Sequence, residues 1–234
     1  MKRIIQSILI LLSLSAAGTV LADGTQEPNN CRSLPGYGAL KSALAAAVAD
    51  EASGLNLDMW ATLVDRDGIV CAVAFSGSER GAQWPGSRVI SAQKANTANA
   101  FSLDGLALST ANLYSAVQPG GSLFGLQESN PVRTSVAYQG PSTAYGTRSD
   151  PMVGQKIGGV NVFGGGLALY SAHGHVVGAV GLSGDTSCAD HRIAWRVRTY
   201  LKLDRLAGLF AVSGDADRPD DIVFDIAANP SGGT

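Results

Sequence analysis

The chain has 234 residues, of which 45% are hydrophobic and only 15% charged, with 29 glycines and a formal net charge of −2. That length suits one domain, or one domain with decorations. No basic stretch interleaves with aromatics, which excludes a nucleic-acid surface; a low-charge, Gly- and Ala-rich exterior points instead to subunit contact, as in a homo-oligomer.

Met1-Lys2-Arg3, the apolar run Ile4–Leu14 and the small residues before Val20-Leu21-Ala22 have the three-part layout of a cleavable secretory signal, residues 1–22. The run is too short to span a bilayer comfortably, and no later stretch is longer. The expected location is therefore periplasmic or secreted, with no stable membrane span after cleavage and a net charge of about −4 once Lys2 and Arg3 are gone. Residues 23–38 read as an irregular leader, rich in Asp, Asn, Gly and Pro.

From Ala39 to Ser53, Leu40, Leu44, Ala47 and Val48 recur at helical spacing, and Gly54 ends the run. Met59–Val64 and Ile69–Phe75 flank Asp65-Arg66-Asp67-Gly68, a hairpin signal, because Asp-Gly tolerates the positive φ of the turn. Ser87 is placed to cap a helix running to Phe101, and Leu106–Val117 reads as a second helix. Residues 102–150 form a long Gly-, Ser-, Pro- and Tyr-rich loop insertion of the kind that carries a function or an interface. Val160–Phe163, a triple glycine, Leu167–Tyr170, a tight turn and Val176–Ser183 then predict strands. Gly184-Asp185-Thr186-Ser187 opens a helix to about Leu203, and residues 213–234 form a weakly ordered tail with one apolar stretch, Ile222–Ile226.

Cys31, Cys71 and Cys188 allow three pairings in an oxidising compartment. The expected pair is Cys71–Cys188, a strand with a helix start, since Cys31 lies in the leader. Three groups of residues are candidates for chemistry. Ile90, Lys94, Thr97 and Phe101 share one helical face. His173 and His175 flank Gly174 in a turn and are candidate metal ligands, as is His191, one turn into the last helix. Gly184 and Thr186 open a helix whose free N–H groups suit a small anionic ligand, although plain capping explains them equally. The sequence contains no nucleophile elbow, His-Glu-x-x-His, phosphate loop or CxxC, so no catalytic residue is assigned and an ordinary hydrolase finds no support.

Four blocks in order resemble the GlcG/HbpS-like haem-binding family. They are Val64-Asp65-Arg66-Asp67-Gly68, then Ser91-Ala92-Gln93-Lys94-Ala95-Asn96-Thr97-Ala98, then Gly164-Gly165-Gly166-Leu167-Ala168-Leu169, and finally Val176 through Thr186. The resemblance spans the domain 39–212. It implies an α/β (α+β) fold, an antiparallel sheet of about five strands with packed helices, profilin-like or PAS-like, in an oligomer. It also implies haem as cofactor, an exported protein that buffers or senses haem or iron, with Thr97 in the coordinating position and Lys94 meeting a propionate. A hydroxyl is a poor iron ligand beside histidine, and the plain alternative is that Thr97 bonds a backbone carbonyl. A second reading is an enzyme or accessory factor that binds a small organic acid at Gly184–Ser187.

Overall fold

The structure is a computed structural model that describes residues 30–222. The signal-like segment 1–22 and nearly all of the apolar stretch at 222–226 lie outside the described residues. Among the described residues no helix is long and apolar enough to cross a membrane.

Helix α1 (Tyr37–Ala49) leads to strands β1 (Trp60–Asp65) and β2 (Val70–Phe75), then to helix α2 (Ser87–Phe101). A long segment follows, holding only single turns of helix, α3 (Leu126–Ser129), α4 (Thr134–Ala137) and several 3-10 turns. Strands β3 (Gly166–Tyr170) and β4 (Val176–Ser183) and helix α5 (Ser187–Tyr200) complete the order. The sheet is antiparallel throughout, in the order β2-β1-β4-β3.

All six residues of β1 are buried, which suits a strand covered on both sides. Ala61 and Leu63 face α1 and α5, where Leu40, Leu44, Ile193 and Val197 complete one core. Trp60 and Val64 face α2, where Ala92, Ala95 and Ala98 meet Val136, Met152 and Ile157 from the long segment. Helix α2 has few large apolar side chains, so its backbone must come close to bury anything. Gly181 permits that approach: a Cβ there would lie 1.9 Å from the Ser91 carbonyl oxygen.

Several expectations change. The described sheet has four strands, because Val160–Phe163 stays outside it, its Asn161 N–H bonded to Thr97 of α2 and its Phe163 carbonyl accepting from the Thr110 hydroxyl. The helix expected over Leu106–Val117 reduces to the 3-10 turns Ala111–Leu113 and Ser115–Val117. Long-range bonds compete there: Thr110 receives Gly166 N–H on its hydroxyl and gives its own N–H to the Gly166 carbonyl. Gly86, and not Ser87, is the residue before α2.

The expected Cys71–Cys188 disulfide is corrected to Cys31–Cys71, with Cα atoms 5.2 Å apart, and Cys188 is free. Helix α1 lies over β2 and β1, whereas α5 lies over β4 and β3, so Cys188 starts a helix on the wrong half of the sheet. The leader instead forms the turn Asn30–Ser33, whose Asn30 N–H bonds Asp65 at the end of β1. After α5 the chain folds back, and buried Asp220 makes a two-pronged ion pair with Arg198, at 2.7 and 2.9 Å.

Candidate functional site

Two places gather the residues singled out in the sequence. The first lies between α2 and the start of α5. Lys94 is buried, and its ammonium donates to Asp190 Oδ2 at 2.6 Å and to the Leu182 carbonyl at 3.0 Å. Burial pulls the Lys94 pKa down and pushes that of Asp190 up, each opposed by the partner's charge. Gly165 closes over the pair with φ +114°, and a Cβ there would sit 2.5 Å from the Leu182 oxygen and 3.3 Å from Lys94 Nζ. Only glycine fits that conformation and that gap.

Thr97, fully buried, donates to the Gln93 carbonyl at 2.8 Å and accepts from Asn161 N–H at 3.0 Å. Asn96 secures the same strap by donating to the Gly159 carbonyl at 2.8 Å. The plain reading of Thr97 as a backbone-bonded residue is what the structure displays. For Lys94, the expectation of a charged arm free to meet a ligand gives way to a sealed ion pair.

The start of α5 supplies its own anions. Asp185 accepts N–H groups from Leu55, Leu57 and Thr186, and Asp190 Oδ1 accepts from Asp185 N–H at 2.9 Å. Thr186 caps Ala189 N–H, and Ser187 Oγ accepts from Gly164 N–H at 2.7 Å. Two carboxylates of the chain itself thus already take the N–H groups of Asp185 and Thr186 at this turn. His191, 1% exposed, makes no hydrogen bond through either ring nitrogen among the described residues, and its Nε2 stands 3.6 Å from Asp221 Oδ1. Burial lowers its pKa to about 4, against the opposing pull of Asp220 and Asp221.

The second place is the end of the sheet where the β1–β2 and β3–β4 turns meet residues 102–106 and 208–210. His175 and Asp104 make a contact of 2.9 Å between Nδ1 and Oδ2, with side chains 69% and 60% exposed. Asp104 also accepts Val176 N–H through its other oxygen at 2.9 Å. The His175 contact first, and then that backbone bond, hold the Asp104 carboxyl below the usual range. Leu103 and Phe210 are exposed beside it, and Phe210 N–H bonds the Gly105 carbonyl. Arg66, half-buried, gives one nitrogen to the Asn99 side chain at 2.8 Å and lies near enough for its charge to act on Asp104. His173 is exposed on the same turn.

His175 and His173 thus lie at the opposite end of β4 from Lys94 and His191, with Thr97 between, next to Asn96 and Asn99, which reach the β1–β2 turn. No metal cluster forms from the three histidines among the described residues. Sequence reasoning missed Asp190 and Asp104, the carboxylates that decide what Lys94 and His175 do. Both partners are far apart in the chain, and no local pattern signals them.

Among solved structures, protein ORFY of Klebsiella pneumoniae is 27% identical over 70% of this chain and 88% of its own, with a TM-score of 0.46. PduOC, solved as a haem complex, is 22% identical over 70% of this chain and 89% of its own, with a TM-score of 0.47. A double mutant of HbpS from Streptomyces reticuli is 16% identical over 82% of this chain and 97% of its own, with a TM-score of 0.44. No curated protein matches. The family described as haem degrading protein HbpS-like matches residues 39–198, so the chain belongs to the HbpS-like family.

Proposed function

We propose that the protein is an exported haem binder and that His175 supplies an axial imidazole to the haem iron. The observation that carries this reading is the His175–Asp104 contact, which anchors one ring nitrogen and leaves the other edge of an exposed imidazole free. A carboxylate on Nδ1 fixes the tautomer and raises the basicity of Nε2, the usual second-shell support of a ligating histidine. Leu103 and Phe210 offer apolar contact to a porphyrin, and Arg66 is the cation for a propionate. Bound haem supplies an iron centre whose chemistry depends on its axial ligand and on access to its open face. The residues at α2 do not fit it in this conformation. Thr97 Oγ1 spends its proton and a lone pair on backbone, and Lys94 is locked to Asp190.

Family membership supports haem as the ligand. Export is supported by the signal-like residues 1–22 and by the Cys31–Cys71 disulfide, a bond that persists in oxidising compartments. Homo-oligomerisation and a role in buffering or sensing haem or iron belong to the same proposal.

The test is an absorbance titration of the purified protein with hemin. A saturable Soret band is expected in the wild type and in Thr97→Ala, with loss of saturation in His175→Ala. An unchanged band in His175→Ala would remove this ligand assignment. The mass of the protein recovered from the periplasm or the medium, starting at Asp23, checks export.

A further inference from the structure

The family match ends at residue 198, and the chain that follows folds back over α5. Its near end is fastened where Asp204 bridges Tyr170 and Phe210 N–H bonds the Gly105 carbonyl. Between them Leu206 is buried with Ala107, Ala168 and Tyr170, and Trp195 packs on that cluster. At the far end Asp220 grips Arg198, and the Asn112 side chain donates to the Asp221 carbonyl at 2.9 Å.

The face of α5 under this return is polar and poorly satisfied. His191, Trp195 and Arg198 follow at i, i+4 and i+7 and share one side of the helix. His191 Nδ1 and Nε2, Trp195 Nε1 and Arg198 Nε are shut away from water and make no hydrogen bond among the described residues. A buried polar atom without a partner carries a desolvation cost that water would remove. Closure therefore sets these costs against the Arg198–Asp220 pair and a small apolar contact.

His191 is the member whose cost depends on pH. From the return it faces Asp221, which is paired with Arg218 at 3.0 Å, and Asp220, which Arg198 already holds by both oxygens. Its own helix brings Arg198 and the neighbouring Asp190, and α2 brings Lys94, to which Asp190 is bonded. The segment at Gly164, which lies against the His191 Cβ, carries no ionisable group. Burial, with Arg198 and Lys94 on its side, outweighs the pull of Asp220 and Asp221 and keeps the imidazole neutral while the return is closed. With the return lifted, water reaches the ring and it charges at its ordinary value. The open state thus binds a proton that the closed state does not, and acid favours opening.

We infer that residues 204–221 form a latch over α5 that acid loosens, with the charging of His191 as the trigger. Opening uncovers an imidazole, an indole and a guanidinium on one helix face while the sheet stays folded.

The experiment is amide hydrogen exchange on the full chain at about pH 7.5 and about pH 5, each rate divided by that of an unstructured amide at the same pH. A ring that charges near 4 when closed and near 6.5 when open raises the open population about 30-fold between those conditions. Protection of the Phe210 amide and its neighbours in the return is expected to fall by that factor, while the amides of β1 keep theirs. His191→Gln, which cannot take the proton, is expected to lose the step, and its β1 protection at about pH 7.5 reports that it is folded. Equal protection of the wild-type return at the two pH values would overturn the latch. So would a fall shared in full by β1, or a step that survives in His191→Gln.

Discussion

Lys94 meets Asp190 at 2.6 Å with both side chains at 3% exposure or less, and His175 meets Asp104 at 2.9 Å with both at 60% or more. The distances are close and the partners are alike in kind, a nitrogen against a carboxylate. Their surroundings set them apart. Around Lys94, water is replaced by Gly165, the Leu182 carbonyl and the core face of α2, so each charge needs the other. Around His175, water screens the contact, so the pair adds little to folding and its free nitrogen stays available. Arg88–Asp150 and Arg198–Asp220 side with Lys94: both are buried, two-pronged, and pin the long segment and the C-terminal return to the helices. Among the described residues these buried ion pairs build the scaffold, and His175–Asp104 is among those left in water.

The sharpest break of that contrast removes half of a buried pair. Asp190→Ala strands the Lys94 ammonium and is expected to cost about 3–5 kcal/mol in urea unfolding, whereas replacing both partners by Met and Leu restores most of it. A single-variant cost well under about 1 kcal/mol would show that the pair behaves as a surface contact.

Next in size is the acid limb. His191 has a folded pKa of about 4 against an ordinary 6.5, so the folded state binds fewer protons than the unfolded chain between those values. Stability is complete above pH 6.5 and falls as pH drops toward 4, by about 3 kcal/mol in total. Asp190, raised by burial, titrates with the opposite sign. The measurement is therefore the difference in pH slope between wild type and His191→Gln. Equal slopes would mean that His191 charges freely in the folded protein.

How much of this was legible before folding follows the same division. The turn at Asp67-Gly68, with Gly68 at φ +76°, and the helix that Thr186 caps were readable, because each depends on neighbours in sequence. Helix α2 was readable, and its end at Phe101 matches, although Ser87 is its first residue and not its cap. Leu106–Val117 was not, since hydrogen bonds from Thr110 to Phe163 and Gly166 outweigh its helical spacing. Lys94 was visible as a residue on a face, but its burial depends on Asp190, 96 positions away. His175 was singled out on its turn, yet the group that orients it is 71 positions earlier. The disulfide failed for a topological reason: the order β2-β1-β4-β3 puts two inner strands between the outer ones, which spacing does not reveal.

A smaller loss is expected at Thr97. Thr97→Ala removes one bond to Gln93 and leaves Asn161 N–H without its acceptor, for about 1–2 kcal/mol by thermal unfolding. Hemin binding should not change. If it fell with stability unaltered, α2 and not the hairpin turn would be the ligand-bearing element.

The smallest effect on folding and the clearest on ligand binding belong to Asp104→Asn. The amide keeps the shape and an oxygen for Val176 N–H but removes the charge that holds the His175 imidazole. Because both side chains are exposed, the unfolding midpoint should stay where it is. Loss of a carboxylate behind a ligating histidine typically weakens metal binding by about 10–100-fold, and hemin affinity should fall by that order. A shifted midpoint with unchanged hemin affinity would place this pair with the structural ones, and the distinction between buried scaffold and exposed ligand group would not hold for it.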